Sequence, residues 1–118
     1  MGPRPMQAVI YHNPKCSTSR KTLDLLRDNG IEPEVVEYLK TPPSRAELVK
    51  MIRAAGIDVR AAVRTRESLY AALDLADASD DRLLDAMAEH PILIERPFVV
   101  TPKGTRLARP VDAVREIL

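Results

Sequence analysis

Short apolar runs and amphipathic stretches alternate along the chain. Ala8-Val9-Ile10-Tyr11 is a β-favouring run closed by His12-Asn13-Pro14, a turn signal, and it predicts a first strand. The spacing then predicts a helix over residues 17–29. Leu23, Leu26 and their neighbours form its apolar stripe, and Gly30 is a natural stop. A second strand is expected at 35–39, before Thr41-Pro42-Pro43 breaks the chain. Ser44-Arg45-Ala46-Glu47 has the form of a capping box, and Leu48, Val49 and Ile52 follow at helical spacing up to Gly56. Residues 58–76 read as helical, less sharply. Ser79-Asp80-Asp81 opens a further helix that runs to about Glu89, its acids suiting the positive helix end. Phe98-Val99-Val100-Thr101 predicts a third strand, Lys103-Gly104 a hairpin turn and residues 105–108 a fourth strand. Pro110 is expected to start a last short helix.

The order is βαβ, a helical stretch, then ββα. It predicts an α/β fold with one small mixed sheet and helices against it, and a helical insertion at about 42–90. A single domain is expected over 7–118. Residues 1–6 are Pro-rich with no apolar core behind them, so they read as a disordered tail or cloning remnant rather than a secretory signal.

Composition narrows the function classes. The 118 residues are 45% hydrophobic and 30% charged, an ordinary balance for a soluble domain. A formal net charge of +1 argues against a nucleic-acid partner. No apolar run approaches the roughly 20 residues that span a bilayer, so no membrane partner is expected and the cytoplasm is the default compartment. Residues 1–30 carry five basic and two acidic side chains, and residues 96–118 carry the same, whereas residues 31–95 carry eight basic and thirteen acidic. If the two ends meet in the fold, they form an electropositive site for a small anion. The single cysteine, Cys16, excludes an internal disulfide and a multi-Cys metal site.

The chemistry concentrates in His12-Asn13-Pro14-Lys15-Cys16-Ser17-Thr18-Ser19-Arg20. This segment joins the first strand to the first helix, which puts Cys16 beside a helix N-terminus. Unpaired N–H groups there favour an anion, and a thiolate is one. His12, Lys15 and Arg20 can add positive potential. Ser17, Thr18 and Ser19 offer donors to an oxyanion. The blander alternative is an inert cysteine in a strand–helix loop. Arg60, Arg64, Arg96, Arg106 and Arg109 form a second feature, since a guanidinium fork donates two parallel hydrogen bonds to an oxyanion. Each one alone reads more readily as a surface charge, Arg96 less so because Arg96-Pro97 precedes a strand.

Taken together, these stretches resemble the glutathione/glutaredoxin-coupled arsenate reductases, a thioredoxin-like family with a helical insertion. The matching residues run through Ile10-Tyr11-His12-Asn13-Pro14-Lys15-Cys16, Thr18-Ser19-Arg20 and Pro42-Pro43-Ser44-Arg45. They continue through Val59-Arg60-Ala61, Arg64 and His90-Pro91-Ile92-Leu93-Ile94-Glu95-Arg96-Pro97, and end with Gly104-Thr105-Arg106-Leu107 and Arg109-Pro110. The resemblance implies that Cys16 is the nucleophile, that His12 helps keep it ionised, and that Arg64, Arg96 and Arg109 hold the arsenical. Arg20 and Arg106 fall on matching positions too, Arg20 among the substrate-binding residues, and the resemblance implies a cis bond before Pro97. Ser17 stands where some members have Gly, and the chain lacks the C-terminal extension of longer members.

The implied reaction reduces arsenate to arsenite through a Cys16 adduct resolved by glutathione and glutaredoxin, with no bound cofactor and no metal. A monomer is expected. Two alternatives stay open: a thiol-redox enzyme of the same fold with another substrate, and a thioredoxin-like regulator that binds RNA polymerase. The regulators use C-x-x-C, and Ser19 stands where their second cysteine would be.

Overall fold

A computed structural model describes residues 7–118; the expected tail, residues 1–6, lies outside the described residues. The chain divides into two compact units. One runs up to Glu37 and resumes at Arg96–Leu118, and the other is Tyr38–Glu95. Residues 7–37 and 96–118 therefore share one unit, and the expected insertion at 42–90 falls inside the other.

The first unit holds β1 (Val9–His12), α1 (Ser17–Asp28), β2 (Glu34–Glu37), β3 (Phe98–Thr101), β4 (Gly104–Leu107) and a 3-10 helix, Val111–Ile117. The strands lie in the order β2-β1-β3-β4. β1 pairs parallel with β2, which is possible because α1 supplies the crossover, and the other two pairings are antiparallel. This is the small mixed sheet expected of a thioredoxin-like chain. Its core joins Ile10 and Val99, cross-strand partners and both fully buried, to Leu26 of α1 and to Val114 and Ile117. A one-residue slip of β1 would turn Ile10 out of this core, so burial pins the register. That register carries His12 to the end of β1, opposite Glu37.

The second unit contains α2 (Arg45–Ala55), α3 (Ser68–Ala72), α4 (Asp80–Glu89) and 3-10 turns at Val59–Ala62 and Pro91–Leu93. Ser44 and Glu47 form the full reciprocal capping box, and Gly56 closes α2 at φ 69°, a left-handed conformation suited to glycine. Leu48, Met51 and Ile52 of α2 are buried, as are Leu83, Leu84 and Met87 of α4. Arg45 bridges the two helices through Asp81 and Asp85.

Several elements depart from expectation. Residues 58–76 hold a 3-10 turn and a five-residue helix, and Arg60 organises the space between them. Its guanidinium donates to Tyr70 Oη and to the carbonyls of Leu75 and Ala78. The hairpin turn is Pro102-Lys103, and Gly104 already pairs with Thr101. The last helix is 3-10 and starts at Val111, with Pro110 capping it in extended conformation. The Arg96-Pro97 bond is cis as expected, and the Arg109-Pro110 bond is cis too.

Candidate active site

The end of β1 delivers His12 and Asn13, both buried, to the start of α1. Asn13 organises the connecting turn. Its side-chain Oδ1 accepts from the Lys15 N–H at 3.0 Å, and its carbonyl accepts from the Cys16 N–H at 3.0 Å. Cys16 is left as the N-cap of α1, with extended φ and ψ and no cap bond from its side chain. A serine here would cap the helix; the sulfur instead faces the helix's unpaired N–H groups.

Partial burial pushes the Cys16 thiol up, but the Ser19 N–H, the Arg96 guanidinium by hydrogen bond and by charge, and the Thr18 N–H outweigh it. The thiol lies below its ordinary range. Arg109 Nη2 stands 3.8 Å from the sulfur, and Arg109 Nε donates to the Arg96 carbonyl at 2.9 Å, which ties the two arginine segments together. Arg96 is only 6% exposed, and its Nε and Nη1 have no hydrogen-bond partner among the described residues. Buried donors beside a thiol, unfilled by protein groups, suit a ligand that brings its own oxygen acceptors.

Arg96 and Arg109, expected to hold the arsenical, stand at the sulfur, whereas the cations nearer to Cys16 in sequence are placed differently. Lys15 and Arg20 are exposed, and Arg20 Nη1 donates to the Pro14 carbonyl, bracing the turn. Burial lowers the His12 pKa, with Arg27 and Arg20 pushing the same way against Glu37, which favours the charged form; the net effect favours the neutral ring. Ser17 is exposed and Thr18 half-buried, both at the helix start. Ser19 departs most from expectation. Its side chain is fully buried, and its Oγ lies 2.6 Å from His12 Nδ1 and accepts from the Asn13 N–H at 3.1 Å, so its hydroxyl is not turned toward an oxyanion.

Arg64 belongs to the helical unit. Its Nε donates to Glu67 at 3.3 Å and its Nη1 to Glu95 at 3.4 Å. Arg106 is turned to Glu116 and the Thr105 carbonyl, a surface brace. Sequence reasoning expected backbone N–H groups at the helix start, here those of Thr18 and Ser19, but assigned no role to Asn13. The Asn-Pro pair after a strand was the available signal for Asn13.

Residues 11–117 match the family model described as the ArsC family. The chain is 62% identical over 115 residues to an arsenate reductase of Rhizobium meliloti (strain 1021), covering 96% of this chain and 82% of that protein. It is 57% identical over 112 residues to an arsenate reductase of Escherichia coli (strain K12), covering 93% and 79%. A solved structure described as an arsenate reductase from Vibrio cholerae superposes with a TM-score of 0.93 at 52% identity, over 98% of this chain and all of that one.

Proposed function

The chain belongs to the ArsC family, and on that footing we propose that it reduces arsenate to arsenite, with Cys16 as nucleophile and glutathione with glutaredoxin as the outside reductant. The observation that carries the reading is the Cys16 sulfur at the α1 N-terminus beside Arg109 and the buried Arg96, whose Nε and Nη1 have no hydrogen-bond partner among the described residues.

Arsenate is a mixture of mono- and dianion at neutral pH, so a thiolate meets it only against repulsion. Positive groups fixed in advance offset that repulsion without reorganising during the reaction. The Cys16 thiolate attacks As(V) and forms an S–As bond while one arsenate oxygen leaves as water. Glutathione displaces a second oxygen, again as water. A further thiol, glutaredoxin or a second glutathione, then attacks the glutathione sulfur. The two thiols leave as a disulfide, the S–As electron pair stays on arsenic, and As(V) becomes As(III). Water releases arsenite and restores the Cys16 thiol. Arg64 is carried as a third oxyanion group by family resemblance. In this reading the protein works as a cytoplasmic monomer.

Steady-state arsenite formation with glutathione and glutaredoxin is the test. Turnover lost in Cys16→Ser supports the proposal. Reduction of a protein–glutathione mixed disulfide with no arsenate turnover would replace it with the thiol-redox alternative.

A further inference from the structure

We infer that His12 acts as a neutral positioning residue working through the Ser19 hydroxyl: the imidazole holds Ser19, and Ser19 holds its own backbone N–H against the Cys16 sulfur. The inference rests on Cys16 being the nucleophile, and it assigns His12 a role other than that of a cation.

Hydrogen-bond counting leads there. Ser19 Oγ accepts from the Asn13 N–H at 3.1 Å and lies 2.6 Å from His12 Nδ1. Its own hydrogen needs an acceptor, and Nδ1 is the one in reach among the described residues. Nδ1 is then unprotonated, and the ring proton sits on Nε2. An imidazolium would reverse this. Nδ1–H and the Asn13 N–H would both aim at Oγ, and the hydroxyl hydrogen would be left buried without a partner, in a site where Ser19 is fully enclosed and His12 is 6% exposed. The groups around the ring agree. Glu37 of β2, its register partner, favours the charged form, but burial together with Arg27 and Arg20 of α1 outweighs it.

The same bonds explain why position matters to the thiol. Asn13 is fixed to Cys16 through its carbonyl and to Ser19 through its N–H. The His12–Ser19 bond closes this ring of contacts, joining the end of β1 to the first turn of α1. Inside it, the Ser19 N–H makes the largest single contribution that lowers the Cys16 pKa. Without the latch, the first turn of α1 can draw away from the sulfur.

The test is the ionisation curve of Cys16, read from alkylation rate and ultraviolet thiolate absorbance against pH, with folding checked by circular dichroism. Ser19→Ala and His12→Phe should each cut the thiolate fraction below the thiol's pKa by about tenfold, one pKa unit. His12→Asn, whose amide falls near Nδ1, should restore most of it; His12→Lys, a cation with no acceptor, should not. Rescue by Lys and not by Asn would overturn the inference, as would an unchanged curve in Ser19→Ala. Nitrogen NMR of the unsubstituted protein reads the ring independently of whether any variant folds. A neutral Nε2–H ring at neutral pH is expected, and an imidazolium there would refute the proposal. None of these measurements uses arsenate, so the inference can fail while arsenate reduction stands, and the reverse.

Discussion

Arg96→Met separates stability from chemistry at one position. The wild-type guanidinium is buried, with Nε and Nη1 lacking a partner among the described residues. Each such donor costs about 1–3 kcal/mol when left unsatisfied. Methionine has a similar reach, removes both donors and brings no charge into the interior. The offsetting loss is the contact between Arg96 and the Cys16 sulfur, a charge-assisted hydrogen bond of about 1.5–3 kcal/mol. The two effects are of similar size and opposite sign, so stability should change little. The Arg96 carbonyl that accepts from Arg109 is backbone and survives the change. Activity has no such compensation. One lost charge-assisted bond slows arsenite formation about ten- to a hundredfold, at about 1.4 kcal/mol per factor of ten. Arg96→Lys keeps the charge without the fork and should recover only part of this. Denaturant unfolding and steady-state arsenite formation on the same preparation decide the matter. A variant that loses several kcal/mol of stability, or one that keeps activity within about threefold, would refute the reasoning.

The alkylation midpoint of Cys16 should fall below the ~8.5 of a free thiol, because the Ser19 and Thr18 N–H groups and Arg96 together outweigh burial; a midpoint at or above that value would count against an activated nucleophile. Protein given arsenate but no added thiol should form at most one Cys16 adduct and release no arsenite catalytically, which mass spectrometry and arsenite assay can follow, since the chain holds one cysteine. The His12 pKa is lowered in the folded state, so the unfolded chain binds more protons between the folded value and the ordinary ~6.5. Stability should therefore be full above about pH 6.5 and fall as pH drops through that window, with a shallower fall in His12→Asn by thermal melts. Ser44→Ala should cost about 1 kcal/mol by breaking the capping box of α2, and should leave the Cys16 ionisation curve unchanged.

What could be read from the sequence alone was what short-range physics decides. The Ser44–Glu47 box, the Ser79 cap of α4, the stop at Gly56 and the turn after β1 involve residues within a few positions of one another, and each formed as its residue types predict. Cys16 at a helix start was legible for the same reason. The weaker elements went astray where a distant partner decides the outcome. Residues 58–76 follow the bonds of Arg60 to Leu75 and Ala78 rather than a helical period. The charge environment of the thiol was likewise beyond local reading. Proximity in sequence favoured His12, Lys15 and Arg20, but Lys15 and Arg20 are exposed, Arg20 bracing the turn at Pro14, and burial favours the neutral form of His12. The cations at the sulfur are Arg96 and Arg109, the latter 93 residues away, brought there because β3 pairs with β1 in the register that buries Ile10 against Val99. A serine's direction was also undecidable locally: Ser19 looks like an oxyanion donor until the end of β1 encloses it and takes its hydroxyl. Helix and strand propensity act over one turn or one pleat, whereas the potential at a thiol depends on which side chains the packed sheet brings within a few ångströms, and only the tertiary structure decides that.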